Sequence, residues 1–307
     1  MNIIRMSGGI GNQMFQYALY LKLVSLGKEV KFDDVTEYEP DNARPIMLSV
    51  FGIDYPKASK EEINEITDGS MNLVDRIRRK LFGRKSREYT EAFLGYDEEV
   101  LKKDSSYLCG YFQSEKYFKD IEKEVREAFR FRNVHMPEPI ETQIKQYEEQ
   151  IAGSLSISIH IRRGDYLQAE DVYGGICTDA YYEKAMEYLL EKYPSAHFFV
   201  FTNDTLWAEK WCEEKRAEKR EFKFTVIKGT KEATGYIDLM LMSKCRHHII
   251  ANSSFSWWGA WLNDSPGKCV VAPEKWLNTC ECHDIFTPDM VRIDAYGKID
   301  IDNSAGL

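Results

Sequence analysis

The sequence has 307 residues, enough for one large domain or for two domains of ordinary size. Apolar residues make up 43% of the chain, which excludes a disordered polyanion. The net charge of −9 argues against a protein that binds nucleic acid through its overall field, although a local basic pocket for a small anion stays compatible with it.

The amino-terminal residues lack the pattern of a signal peptide, and no apolar run reaches the roughly 18 residues that a transmembrane helix needs. The seven cysteines are scattered and odd in number, which fits reduced thiols better than a disulfide framework. We therefore expect a cytoplasmic protein. Cys280-Glu-Cys282-His283 is the one cysteine cluster, and no second ligand pair lies at the spacing of a structural zinc site, so we expect no metal.

The first residues predict a βαβ unit. Residues 2–6 read as a buried strand, 7–11 as a glycine-rich turn, 12–26 as a helix and 29–32 as a second strand. The turn is similar to a dinucleotide fingerprint, which would make the protein a nicotinamide oxidoreductase. However, Met14 occupies the place of the third glycine, so that alternative is weak. The glycines are better explained by close approach of the backbone to a ligand or to another domain.

A basic segment follows the second strand. Residues 60–66 and 71–82 predict helices, and the second helix and its continuation carry Arg76, Arg78, Arg79, Lys80, Arg84, Lys85 and Arg87. The simpler interpretation is a solvated face, and the alternative is contact with a membrane or an anionic acceptor lipid. Beyond it we predict a strand at 107–112, one amphipathic helix at 114–131 capped by Ser114, and a linker at 134–139 with two prolines.

From residue 153 onward, strands and helices alternate strictly. Strands are predicted at 155–160, 197–202, 222–227, 248–251 and 269–272, with a helix after each of the first four. Such alternation is typical of a doubly wound parallel sheet. The predicted organisation is an N-terminal domain at 1–152, a C-terminal domain at 153–290 and a polar tail at 291–307.

Polar residues gather where the first of these strands ends, in His160-Ile-Arg-Arg-Gly-Asp165-Tyr166. Ligands of open α/β sheets bind beyond the carboxyl ends of the strands, and the planar guanidinium of Arg suits phosphate. Adjacent arginines at this position therefore indicate an anionic ligand. The alternative is an exposed strand end that carries a surface salt bridge.

A second polar stretch, Asn252-Ser-Ser254-Phe255-Ser256, marks a strand-to-helix transition. Helix amino ends present unpaired N–H groups and a partial positive charge, which favour phosphate, and Ser254 and Ser256 add hydroxyl donors. Helix capping would also explain one of the serines. Trp257, Trp258 and Trp261 are most simply core residues.

Asp238 stands alone inside the apolar run Tyr236-Ile-Asp-Leu-Met-Leu-Met242. A carboxylate in such a setting is costly unless a partner satisfies it. Two partners fit: Arg246, in a salt bridge, or the two-donor edge of a guanine base.

Three stretches together resemble the α-1,2-fucosyltransferases, glycosyltransferase family 11. They are Ser7-Gly-Gly-Ile-Gly-Asn-Gln-Met-Phe-Gln-Tyr-Ala18, the histidine–arginine stretch His160-Ile-Arg-Arg-Gly-Asp-Tyr166, and Asn252-Ser-Ser-Phe-Ser-Trp-Trp-Gly-Ala-Trp-Leu262. They follow the family's order and spread over most of the chain. The resemblance implies two Rossmann-like domains facing across a cleft, a variant of the GT-B architecture.

The resemblance also implies a reaction and its residues. It implies inverting, metal-independent transfer of L-fucose from GDP-β-L-fucose to the 2-hydroxyl of a galactose-terminated oligosaccharide or lipid-linked glycan, with peripheral contact at the inner membrane face as an option. A fucosyltransferase of another linkage and a non-catalytic binding module are the alternatives. The implied donor-binding residues are His160, Arg162, Asp238, Ser254, Phe255 and Ser256, and Gly8, Asn12 and Gln13 would face the cleft. Asp165 ranks first as the catalytic base and Glu170 second, with Arg162 stabilising the diphosphate. No cofactor is expected.

Overall fold

The structure, a computed structural model, describes residues 1–38, 44–132, 134, 136, 138 and 140–300, without the side chains of Asp165, Leu167 and Glu232. The chain divides after Arg132 into two units. Each unit is built on its own parallel sheet, so the prediction of two α/β units is confirmed.

The first unit carries four parallel strands in the order β2-β1-β4-β3. The strands are β1 (Asn2–Arg5), β2 (Val30–Asp33), β3 (Glu88–Thr90) and β4 (Tyr107–Cys109), and the helices are α1 (Ile10–Ser25), α2 (Lys60–Thr67), α3 (Leu73–Phe82), α4 (Glu98–Lys102) and α5 (Glu122–Ala128). Helix α1 buries Met14, Phe15 and Ala18, and the chain leaves it through Gly27 in the left-handed region, φ +76°. A capping box between Ser59 and Glu62 begins α2.

Two buried glutamines of α1 hold the glycine-rich turn that follows β1. Gln13 donates to the carbonyls of Gly8 (3.0 Å) and Pro45 (3.0 Å) and accepts from the Met47 N–H (2.9 Å). Gln16 accepts from the Ser7 N–H (3.1 Å) and donates to the Gly110 carbonyl. The Gln13 side chain is fully buried and finds its hydrogen-bond partners within its own unit, where it holds the turn, and a direct role at a cleft stays a prediction.

Gly8 is explained by the same turn. Its φ is +73°, and a Cβ there would lie 2.5 Å from Asn12 Nδ2, so the glycine makes room for the Asn12 side chain. Asn12 Oδ1 in turn accepts from Gln113 Nε2 at 2.8 Å, which ties the turn to the loop after β4.

The second unit carries six parallel strands in the order β10-β9-β8-β5-β6-β7. The strands are β5 (Leu155–Ile161), β6 (Ala196–Thr202), β7 (Phe224–Val226), β8 (His247–Ile249), β9 (Val270–Pro273) and β10 (Met290–Ile293), and the helices are α6 (Ile140–Ala152), α7 (Glu170–Tyr173), α8 (Asp179–Lys192), α9 (Thr205–Glu218), α10 (Tyr236–Lys244) and α11 (Ser254–Leu262). The predicted doubly wound parallel sheet is confirmed. The chain builds outward from β5 to β7, returns, and builds outward from β8 to β10 on the other side.

Three boundaries differ from the sequence-based expectations. The domain boundary lies at 132 rather than 152, because α6 packs against α10 and β5 of the second unit. The tail expected from residue 291 begins later, since β10 pairs with β9 as far as Ile293 and Arg292 binds Asp300. Residues 301–307, and residues 133, 135, 137 and 139 of the expected linker, lie outside the described residues.

The single helix expected at 114–131 is wrong. Two short 3-10 turns, Glu115–Tyr117 and Lys119–Ile121, precede α5, and Phe118 leaves helical geometry at φ −138° and ψ 13°. Tyr117, Phe118 and Phe129 are nevertheless buried. The apolar spacing correctly indicated which side chains are buried but not that the helix is broken.

Candidate active site

The order of the strands in the second unit reverses between β5 and β8, which are hydrogen-bonded neighbours. At such a switch point the connections on either side lead away from each other, which leaves a crevice at the carboxyl ends of the two strands. The residues that follow β5 are Arg162, Arg163 and Gly164, and the residues that lead from β8 into α11 are 250–253. The second and third sequence motifs therefore meet at this crevice.

Tyr166 joins the two motifs. Its hydroxyl donates to the Asn252 carbonyl at 2.8 Å, and its ring stacks on Tyr173 at 4.1 Å between centroids. The guanidinium of Arg162 lies 5.8 Å from the centre of the Tyr166 ring. The sequence motif contains Tyr166, but its bridging role depends on a contact between residues 86 positions apart, which the pattern does not encode.

His160 and Phe255 are brought together by the same crevice. His160 is buried on β5, and its ring centroid lies 5.5 Å from that of Phe255 in the first turn of α11. Arg162 follows β5 and Ser254 begins α11, and both belong, like His160 and Phe255, to the six residues that the sequence predicts to bind the donor. The structure thus clusters four of the six residues of that set around β5 and the start of α11.

Arg163 is occupied within the protein. Its N–H donates to Asn203 Oδ1 (3.0 Å), its Nε pairs with Asp204 (3.3 Å), and its guanidinium lies 4.1 Å from the centre of the Trp207 ring. Asp204 also caps α9 by accepting from the Trp207 N–H. Arg163 is therefore an anchor for the loop, held by Asn203 and Asp204.

Gly164 is required by the same arrangement. Its φ is +33°, and a Cβ would lie 2.2 Å from Asn203 Nδ2. The side chain of Asp165, the first-ranked base, lies outside the described part of the structure. Glu170 begins the one-turn helix α7 and is exposed to solvent.

The amino end of α11 has the chemical features that favour binding of an anion. No side chain caps it at Ser253, and its first turn contains no acidic residue. Ser256, however, donates its hydroxyl to the carbonyls of Ala251 (3.3 Å) and Ser253 (3.2 Å). In the free protein the Ser256 hydroxyl hydrogen therefore bonds the backbone of the turn, and its contact with a ligand stays a prediction.

The tryptophans of α11 are core residues, as expected. Trp257 and Trp258 are fully buried, and Trp257 Nε1 donates to the Ile285 carbonyl at 2.7 Å. Gly259 sits where α11 meets α10, and a Cβ there would lie 3.0 Å from Met242 Cβ. The glycine therefore permits close packing of the two helices, both of which begin at the carboxyl edge of the sheet.

Asp238 lies in the first turn of α10 at that edge. Its Oδ2 accepts from the Thr230 hydroxyl at 2.9 Å, whereas its Oδ1 is buried and has no hydrogen-bond partner among the described residues. Burial raises the pKa of this carboxyl to about 7, and the Thr230 hydrogen bond lowers it only in part. The described partner is Thr230 and not Arg246, so the geometry leaves one buried acceptor atom for a ligand donor.

Within the first unit, sequence reasoning missed a partly buried carboxylate with a raised pKa, Glu91. Glu91 follows β3 and accepts from the N–H groups of Tyr111 (2.7 Å) and Phe112 (3.1 Å), which lie after β4. Burial raises the pKa of Glu91 to about 7. Nothing in the local sequence marks it, because its setting depends on the pairing of β3 with β4.

Among the residues that the structure describes, no three His, Cys, Asp or Glu side chains are grouped as a metal site requires. In the Cys280–His283 segment the two thiols lie 3.5 Å apart and His283 pairs with Glu281.

Comparisons with known proteins bear on the whole chain. The family model described as Glycosyl transferase family 11 matches residues 1–293. An alpha-1,2-colitosyltransferase of Escherichia coli is 32% identical over 283 residues, which cover 90% of this chain and 92% of that protein. A galactoside alpha-(1,2)-fucosyltransferase 1 of Sus scrofa is 24% identical, covering 97% and 74%. Among solved structures, POFUT1 in complex with GDP-fucose superposes with a TM-score of 0.44 at 11% identity, covering 88% and 97%.

The raised pKa of Asp238 predicts a pH-dependent stability difference. A folded-state pKa above the unfolded value favours the protonated folded state, so this contribution is present at low pH and is lost as pH rises through about 7. The side chain in Asp238→Asn cannot ionise, so the variant should lack this pH-dependent loss of folding stability. Between about pH 5 and pH 8, the free energy of unfolding of the wild type should fall by roughly 2 kcal/mol more than that of the variant.

Urea unfolding at a series of pH values measures this difference. Exposed Asp264→Asn is the matched control and should follow the wild type. Parallel pH profiles for the wild type and Asp238→Asn would show that the carboxyl is not perturbed.

Proposed function

The chain belongs to glycosyltransferase family 11, and from that premise we propose that it transfers L-fucose from GDP-β-L-fucose to the 2-hydroxyl of a terminal β-galactoside, with inversion to an α-1,2 linkage. The observation that carries the proposal is the meeting of the second and third family motifs at the switch point of the second sheet. Ligands of open α/β sheets bind in such a crevice.

Asp238 is the residue that we assign to the guanine base. The N1–H and the exocyclic amino group of guanine present two parallel donors, which match a carboxylate. The buried Oδ1 of Asp238 lacks a described donor, and binding of guanine would supply one. His160, next to Phe255, is assigned to the base or ribose.

Arg162 and the amino end of α11 are assigned to the diphosphate. The guanidinium offers paired N–H donors, and the helix end offers backbone N–H groups with a partial positive charge. In a single displacement the acceptor hydroxyl attacks the anomeric carbon while the bond to the diphosphate breaks. Donors fixed in advance at the departing phosphate stabilise the charge that develops there, and on this basis we propose that no metal is needed.

The catalytic base is the remaining role. Asp165 and Glu170 stand in the loop that follows Arg162, and both stay candidates.

Transfer of colitose is the second candidate function, favoured by the 32% identity to a colitosyltransferase. The acceptor is proposed to be a galactose-terminated oligosaccharide or lipid-linked glycan, in keeping with the galactoside named for the fucosyltransferase relative. The seven free thiols support a reducing compartment such as the cytoplasm.

A donor and acceptor array tests the function. The full chain is incubated in EDTA with GDP-fucose or GDP-colitose and a panel of galactosides, and the products are identified by mass spectrometry and linkage analysis. The expected product is an α-1,2-fucosylated galactoside. GDP binding without transfer to any acceptor would favour a non-catalytic binding module, and turnover only after manganese or magnesium is restored would contradict metal independence.

Binding of GDP should release a proton through Asp238. The free carboxyl has a pKa of about 7, and guanine donors favour its ionised form, so the pKa falls in the complex. Below about pH 7, GDP affinity should therefore rise roughly tenfold per pH unit in the wild type, whereas Asp238→Asn should bind more weakly without this gain. Calorimetry in two buffers with different ionisation enthalpies counts the proton. Because GDP itself titrates near neutral pH, the variant provides the baseline, and equal proton release by both proteins would exclude Asp238 from the site.

Arg162→Lys should be crippled although the charge is kept. Loss of the two-pronged donor should cost roughly 2–4 kcal/mol of transition-state stabilisation, measured as kcat/KM for fucose transfer. Exposed Arg246→Lys is the matched control and should be near wild type. Near-normal turnover of Arg162→Lys would remove Arg162 from the site.

The base should be revealed by a variant that binds GDP normally and loses turnover by roughly 10²–10⁴-fold. The panel is Asp165→Asn and Glu170→Gln, with GDP affinity measured by calorimetry beside fucose transfer. Near-wild-type transfer by both variants would place the base elsewhere or assign the proton to the departing phosphate.

A further inference from the structure

Helix α3 is amphipathic, and its apolar side faces solvent. Successive helical residues are about 100° apart, which puts Leu73, Val74, Ile77 and Leu81 on one side. In a soluble protein such an apolar stripe normally faces the core. Here α3 has no buried residue, and the exposed fractions of these side chains run from 52% to 76%. Met71 and Phe82, at the two ends of the helix, are also exposed.

The opposite, polar side attaches α3 to the protein. Arg78 forms an ion pair with Asp68, and Arg79 donates to the Asp68 carbonyl at 2.9 Å and to the Ser70 carbonyl. Just beyond the helix, Arg84 Nε donates to the Thr67 carbonyl at 3.0 Å. These contacts fix the orientation of α3, so the apolar stripe is held away from the rest of its unit.

The charge of the segment is opposite to that of the chain. Residues 71–87 contain seven cations and one carboxylate, Asp75, which gives a net charge of +6 within a chain of −9. Arg76 and Lys80 border the apolar stripe, are exposed, and have no ion-pair partner within the described ranges. A helix surface that is apolar at its centre and basic at its edge matches an anionic lipid interface.

We propose that the α3 surface, defined as residues 71–87, docks the protein onto an anionic phospholipid bilayer. The stripe Leu73, Val74, Ile77 and Leu81 enters the boundary between headgroups and acyl chains, and the bordering cations bind lipid phosphates. Two copies of a +6 surface repel each other, so self-association through this surface is disfavoured. None of the helices within residues 1–38, 44–132 and 140–300 is long and apolar enough to cross a membrane, so attachment here is to the surface.

Flotation of the full chain with vesicles tests the proposal. Vesicles of phosphatidylcholine alone are compared with vesicles that contain about 30% phosphatidylglycerol, whose negative surface attracts basic segments. The wild type should partition at least about tenfold more strongly onto the anionic vesicles. Equal partitioning onto both, or onto neither, would overturn the proposal.

Two variants separate insertion from charge attraction. Ile77→Glu with Leu81→Glu should lose most vesicle binding although every cation is kept, and Arg76→Glu with Lys80→Glu should lose it with the stripe intact. The matched controls lie in the second unit: Leu206→Glu, at an apolar side chain that is 80% exposed, and Arg246→Glu with Lys275→Glu, which makes the same charge change. Both controls should float like the wild type.

The outcomes are decisive in each direction. Normal binding by Ile77→Glu with Leu81→Glu, together with loss in Arg76→Glu with Lys80→Glu, would make the surface a site for soluble polyanions and contradict docking by insertion. Equal loss in the second-unit controls would show that net charge alone governs binding. GDP affinity of every variant reports that the second unit is folded, and circular dichroism melting reports on the first unit, so a folding defect is distinguishable from lost docking.

Discussion

The uniform direction of the strands is the constraint on which the second unit depends. Because all six run parallel, every strand-to-helix turn arrives at one edge, and because the order reverses between β5 and β8, two of those turns diverge and leave a crevice. Tyr166 and Asn252, which are 86 positions apart in the sequence, are hydrogen-bonded to each other there. The amino ends of α10 and α11 come to the same edge, which therefore carries a buried carboxylate, Asp238, and a positively polarised helix end.

The polar residues singled out by the sequence fall into two groups according to whether the protein itself supplies their hydrogen-bond partners. Gln13, Gln16, Arg163 and Ser256 find their partners inside the protein, and they hold turns in place. Asp238 is different, because one of its buried oxygen atoms has no described donor. A buried oxygen atom without a donor lowers the stability of the free protein. A ligand that donates a hydrogen bond to it removes this penalty, which strengthens binding of the ligand. The outward stripe of α3 is the apolar counterpart, since it keeps in water the side chains that folding would otherwise bury.

Sequence reasoning recovered the alternation of strands and helices, the parallel class of the second sheet and the clustering of His160, Arg162, Ser254 and Phe255, because each depends on local periodicity or on strand ends. It failed where a tertiary contact decides. The sequence does not show that Gln13 bonds the backbone of Gly8, Pro45 and Met47, because these contacts form only in the folded unit. The sequence predicted a basic helix at 71–82, but which side of it meets the protein depends on Asp68 and Ser70, so a solvated basic face was the simpler expectation. The break at Phe118 likewise has no breaker residue to announce it.

Gly259 controls the separation between α10 and α11, although it lies away from the amino ends of both helices. Its missing methyl group lets α11 approach α10 until a Cβ would stand 3.0 Å from Met242 Cβ. A side chain at this position would wedge the two helices apart, and both helices would carry their amino ends with them. The distance between Asp238 and Ser254 therefore depends on Gly259, a residue outside the first turn of either helix. Relatives that accept a nucleotide of different length between base and phosphate would be expected to differ at this helix contact before they differ in the residues that touch the ligand.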